Sequence, residues 1–140
     1  MRIILIKFFL FTLLNSVSIM AYSQVDTLED LRWKNRVVLL FADGAENLSL
    51  KAQQKFIKKD KLGYEDRELV VISDIKVDNN RSDLRSKFNI SEKGFTFILI
   101  GKDGGEKLRR NTVVQSIDLF DLIDSMPMRQ SEMRNRKIKK

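Results

Sequence analysis

Apolar residues in this chain alternate between unbroken runs and helical spacing. Asn35-Arg-Val-Val-Leu-Leu-Phe-Ala42 is a continuous apolar run, as expected of a strand buried on both faces. It stops at Asp43-Gly44. Asn47 is a helix-capping residue type, and after it Leu48, Ala52 and Phe56 recur at four-residue spacing with Leu50 and Ile57 beside them. That pattern predicts a helix to about Lys59. Lys58, Lys59 and Lys61 suit its negative end, and Gly63 is expected to close it. A second strand is predicted over Leu69–Val77, then a polar loop at Asp78–Ser82 and a short helix over Asp83–Phe88. Phe95–Ile100 reads as a third strand, turning at Lys102-Asp103-Gly104-Gly105 into a fourth over Glu106–Arg110. Ser116 is expected to cap an amphipathic helix to about Ser125, with Ile117, Leu119, Phe120, Leu122 and Ile123 on its apolar side; Pro127 breaks or restarts it.

Strand–helix–strand implies a parallel pair, and the later hairpin adds two antiparallel strands. This order predicts a thioredoxin-like α/β fold: a central mixed sheet of about four strands with flanking helices.

The N-terminus follows a different plan. Arg2 and Lys7 precede the apolar stretch Phe8–Leu14, and Ala21-Tyr22-Ser23 places small residues at −3 and −1 of a cleavage point before Gln24. This is the layout of a secretory signal peptide, and a membrane span would need ~20 apolar residues. The domain plan is thus a signal peptide at 1–23, a thioredoxin-like domain at 24–128 and a basic tail at 129–140. The mature protein is expected in the periplasm or secreted.

Charge sharpens that division. The whole chain carries +7, yet Gln24–Met128 holds equal numbers of basic and acidic residues. The surplus of the mature chain lies in the tail, where Arg129, Arg134, Arg136, Lys137, Lys139 and Lys140 face only Glu132. Such a tail suits anionic lipid headgroups or acidic polysaccharide, or serves as a solubilising terminus. Nucleic acid is not expected, since the tail has no aromatic residue to stack on bases. A membrane surface is a compatible partner, and a monomer is expected.

Composition narrows the chemistry further. The chain has no cysteine and no histidine. Thiol redox chemistry by this chain alone is excluded, and the usual zinc and copper ligands and nucleophile–base pairs are missing. No cofactor and no metal is expected.

Trp33-Lys34-Asn35-Arg36-Val37, Arg67-Glu68-Leu69-Val70, Phe95-Thr-Phe-Ile-Leu-Ile-Gly101-Lys-Asp-Gly104 and Ile123-Asp-Ser-Met-Pro-Met-Arg129 with Glu132-Met133 resemble the family called domain of unknown function 4174. The likeness spans about Leu28 to Arg134. It implies a thioredoxin-like or peroxiredoxin-like fold and export, as in secreted bacterial proteins and in sushi-repeat and matrix-associated animal proteins. Where redox-active relatives carry the attacking thiol, this chain reads Phe41-Ala42-Asp43-Gly44-Ala45-Glu46-Asn47, and Lys93-Gly94 stands in place of a cis-proline.

The candidate contact surface is therefore Asp43, Glu46, Lys102, Asp103, Met126, Pro127, Met128 and Arg129. Asp43 and Glu46 sit where open α/β sheets place ligands, and alternatively complement a helix N-terminus. The glycine–lysine turn lacks the spacing and the following helix of a phosphate loop, so it reads as a hairpin. Asp78, Asn80, Ser82 and Asp83 lack the glycine and glutamate of a calcium loop and read as a turn with a helix cap. Met126-Pro127-Met128-Arg129 is either a segment packed back on the domain, with Arg129 on a carboxylate such as Asp124, or a docking surface. The leading expectation is a non-catalytic module that binds a protein or envelope component. One alternative is an enzyme using carboxylates, lysine or arginine, or a partner's thiol. Another is an anionic-surface binder acting through the tail.

Overall fold

The computed structural model describes residues 28–75 and 83–138. The expected signal peptide and the Asp78–Ser82 turn lie outside the described residues. Helix α1 (Leu28–Leu31) precedes strand β1 (Arg36–Ala42), and then come α2 (Leu48–Lys59), α3 (Lys61–Asp66) and β2 (Leu69–Ile75). The chain continues through α4 (Asp83–Lys87), β3 (Phe95–Ile100), β4 (Glu106–Arg110), α5 (Ser116–Asp124) and α6 (Pro127–Ile138).

The four strands form one mixed sheet in the order β2-β1-β3-β4. β1 runs parallel to β2, with Arg36 opposite Leu69 and Ala42 opposite Ile75. It runs antiparallel to β3, with Val37 opposite Ile100 and Ala42 opposite Phe95. The β3–β4 hairpin is antiparallel with an irregularity at Leu99/Ile100.

Alternation along the strands splits the core between two faces. Val38, Leu40, Phe97 and Leu99 pack with Leu50, Tyr64, Leu119 and Ile123 from the helices on one side. Val37, Leu39, Phe41, Ile98 and Ile100 pack with Leu31 and Ile90 on the other. Both central strands are buried along their whole length, which is why they read as unbroken apolar runs. Gln53 is fully buried yet satisfied: its amide exchanges hydrogen bonds of 2.9 and 2.8 Å with the backbone of Val114, tying α2 to the segment before α5.

Several boundaries differ from expectation. Gly63 does not close α2; Asp60 ends it, and Gly63 sits inside α3 under the ring of Phe120. Ser116 is the first helical residue of α5 rather than its cap, which falls at Gln115. α1 had no forecast, being too short to show a period. Pro127 restarts the helix: it is the first residue of α6, a position that tolerates its missing N–H. The segment from residue 129 is thus a helix to Ile138, and its residue Arg129 is buried. No helix among the described residues is long and apolar enough to cross a membrane.

Candidate functional site

The sheet has two polar ends. At one, β1 and β2 finish; at the other they begin and β3 ends, because β3 runs the opposite way. The seven residues of β1 hold these poles roughly 20 Å apart at the rise of an extended strand. The predicted contact residues divide between them.

Asp43 and Glu46 lie at the first pole, just past β1. Asp43 Oδ2 accepts the Gly94 N–H at 2.7 Å, and Oδ1 accepts from the Asn47 side-chain amide at 2.9 Å. The Asn47 and Gly94 donors hold its carboxyl below the ordinary aspartate range. Asn47 in turn accepts the Leu50 N–H at 3.1 Å, capping α2. Glu46 is exposed and pairs with Lys51. Nearby, buried Arg85 donates to the carbonyls of Ala42 at 2.6 Å and Asp74 at 2.9 Å, joining the ends of β1 and β2. The Asp43 carboxylate is thus engaged in fastening the turn ahead of β3.

The second pole gathers Lys102, Asp103, Met126, Pro127 and Met128. With Arg36, Gly101 and Lys107 they line a cleft of about 410 Å³. The turn Gly101–Gly105 forms its hairpin wall: Gly101 N–H donates to the Gly105 carbonyl at 2.8 Å, and Gly104 supplies the positive φ of 83° that the turn needs. Asp103 accepts the Gly105 N–H at 3.0 Å and pairs with Lys107 at 2.6 Å. Lys107 and the Gly105 amide lower its pKa. Pro127 and Met128 are exposed on the opposite wall, at the start of α6.

Behind the cleft lies an ion network of which the sequence suggested only the Arg129–Asp124 pair. Arg36, the first residue of β1, is only 1% exposed. Its guanidinium grips Glu132 of α6 with two hydrogen bonds, of 3.2 and 3.1 Å, and donates to the Arg67 carbonyl at 3.0 Å. Lys102 also reaches Glu132, at 2.9 Å, and pairs with Glu68. Arg129 is 2% exposed, donating to Asp124 at 3.0 Å, to the Asp66 carbonyl at 2.9 Å and to the Asp66 carboxylate. Arg136 closes on the same carboxylate. Burial alone would raise the pKa of Glu132; hydrogen bonds from Arg36 and Lys102 outweigh it and lower the value. Burial likewise opposes, and the arginines overcome, the shifts at Asp66 and Asp124. Arg129 therefore leaves the proposed contact surface: it is a staple inside the fold, as its pairing with Asp124 suggested.

An enzyme built on this chain's carboxylates would need Asp43 and Glu46 in one pocket with Lys102 or Arg129, within hydrogen-bond reach of each other. The structure puts those groups at opposite poles, so that constellation is not formed. Among the described residues no cluster of acidic side chains is arranged to hold a metal ion.

Fold and sites together describe a thioredoxin-like domain with a fastened turn after β1 and a cleft at the far pole. The chain belongs to the family described as domain of unknown function (DUF4174), whose sequence profile matches residues 27–132. Among solved structures it is similar to a reduced 2-Cys peroxiredoxin of Plasmodium vivax, with TM-score 0.60 and 12% identity over 74% of this chain and 84% of that one. It is similar also to malaria-parasite thioredoxin-2, described as a component of the parasite's protein secretion machinery, with TM-score 0.52 and 25% identity over 66% of this chain and 84% of that one. No curated protein matches the chain.

Proposed function

We propose that this chain is an exported, non-catalytic thioredoxin-like module that docks a protein or envelope component at the pole where β1 begins. One observation carries the reading. The segments that bear the family resemblance, far apart in sequence, meet at this pole: Trp33–Arg36 before β1, Arg67-Glu68 before β2, Lys102–Gly104 after β3, and Met126–Glu132 around the start of α6. There Lys102, Asp103, Met126, Pro127 and Met128 line one cleft with Arg36 and Lys107, while Asp43 at the opposite pole is engaged by internal hydrogen bonds. Thioether side chains beside a rigid proline suit adaptable packing against a partner. Export rests on the charge and apolar pattern of the first 23 residues.

Site-specific photocrosslinking tests the docking. A crosslinker replacing Met128 gives discrete adducts from an envelope fraction, whereas one replacing Glu46 does not. Adducts only from position 46, or the same adducts from both, contradict the assignment. Cell fractionation with N-terminal sequencing tests export: the mature chain begins at Gln24 outside the cytoplasm, and a chain retained in the cytoplasm beginning at Met1 refutes it.

A further inference from the structure

Helix α6 has two faces of different character. Arg129, Glu132 and Arg136 recur at three- and four-residue spacing and turn toward the body of the domain, each on a partner there. Ser131, Arg134 and Ile138 recur on the opposite side, all exposed, with exposed Lys137 beside them. The Arg134 guanidinium donates to Ser131 Oγ at 2.9 Å. Neither Arg134 nor Lys137 pairs with a carboxylate among the described residues.

The network under α6 leaves this charge uncompensated. Its carboxylates are Asp66, Glu68, Asp124 and Glu132, and all are held by Arg36, Arg67, Lys102, Arg129 and Arg136. Cations therefore outnumber carboxylates before Arg134 and Lys137 are added. Glu65, an exposed acid on α3, is taken by Lys61. Lys139 and Lys140 follow in the chain and extend the surplus.

A second observation selects the kind of anion. Ile138 is 82% exposed, next to Lys137 and one turn after Arg134. An aliphatic side chain set among cations gains no apolar contact from a sugar chain. At a bilayer interface it enters the acyl boundary, while lysine and arginine heads stay at the phosphates. At the rise of a helix Ile138 stands roughly 16 Å from Pro127, so this face is distinct from the cleft.

We infer that the outer face of α6 binds an anionic lipid surface, with Arg134, Lys137 and the following lysines on headgroup phosphates and Ile138 in the acyl boundary. This contact goes beyond docking at the cleft and uses none of the cleft's residues.

Vesicle sedimentation tests it. The chain from Gln24, which keeps every described element, co-sediments with vesicles of phosphatidylglycerol and phosphatidylcholine in equal parts. It stays in solution with phosphatidylcholine alone. Binding falls about tenfold or more between low and high salt, because exposed charges are screened. Arg134→Glu combined with Lys137→Glu weakens binding about tenfold or more, and Ile138→Ser weakens it about threefold or more. Urea midpoints remain those of the unaltered chain, since Arg129, Glu132 and Arg136 are untouched. The absence of cysteine supplies an independent readout. An environment-sensitive dye on Ile138→Cys brightens and moves to shorter wavelength with the mixed vesicles, and the same dye on Glu46→Cys does not. Vesicle binding that survives either the double charge reversal or Ile138→Ser overturns the inference, as does a dye response at position 46 and none at 138. Retention on alginate, an acidic polysaccharide, with none on the vesicles also overturns it and makes α6 a polysaccharide site.

Discussion

Strand β1 begins on a buried arginine and is followed by an exposed aspartate, and the two residues hold the fold in different ways. Arg36 reaches across to a helix 96 positions later in the chain, where Glu132 takes both arms of its guanidinium. Asp43 fastens a neighbouring turn through the Gly94 amide and steadies the cap of α2 through Asn47. The first arrangement is long-range, shielded from water and shared among several charges; the second is local and wet. Charge interactions strengthen as water is excluded, and an orphaned buried charge is costly. The pole that looks chemically richest from the thioredoxin plan is therefore energetically the lighter one. The pole where β1 begins carries the heavier electrostatic load.

The largest test of that contrast is Glu132→Ala. It leaves Arg36 buried without its carboxylate and removes one acceptor from Lys102, so unfolding stability measured in urea falls by about 3 kcal/mol. A loss under 1 kcal/mol would mean the network is idle.

Acid provides the next test. Glu132, Asp66 and Asp124 all have folded-state pKa values below their ordinary ones. The stability this confers is fully present above the ordinary carboxylate range, from about pH 5, and is lost as pH falls through the depressed values. Urea midpoints measured down to pH 2 show this loss, and Glu132→Gln flattens it by removing one titrating group. An unchanged acid slope in that variant would place the titrating groups elsewhere.

At the opposite pole Asp43→Ala has a smaller effect. It frees the Gly94 amide, so hydrogen exchange there and at the start of α2 speeds up, while the melting temperature falls by less than in Glu132→Ala. A greater fall than in Glu132→Ala reverses the ranking of the poles. The smallest effect belongs to Glu46→Ala, which removes one exposed pair with Lys51 and shifts stability by no more than about 0.5 kcal/mol.

The sequence announced the sheet far better than the site. β3 and β4 begin and end where alternation and glycine placed them, because unbroken apolar runs and hairpin turns are local signals. The cap of α2 was legible in Asn47 for the same reason. α3 was hidden because Asp60 breaks the helix within a continuous lysine-rich stretch, and Gly63 looked like a stop although its missing side chain makes room for Phe120. The ion network was invisible for a deeper reason. Its partners have no fixed spacing, and charged residues are read by default as solvated. Only the Arg129–Asp124 pair, five residues apart, was suggested by the sequence. Met126, Pro127 and Met128 line one cleft with Lys102 and Asp103, but Arg129 sits within their own run of sequence and faces inward, since successive residues on a helix point in different directions.

The helix that opens at Pro127 also sets where this domain can be cut or joined. A protease nick or a fused neighbour immediately after Met128 would sever Arg129, Glu132 and Arg136 from the strand and turn they clamp, although the remaining chain would retain all four strands. A tag placed past Ile138 leaves Arg129 and Glu132 on their partners.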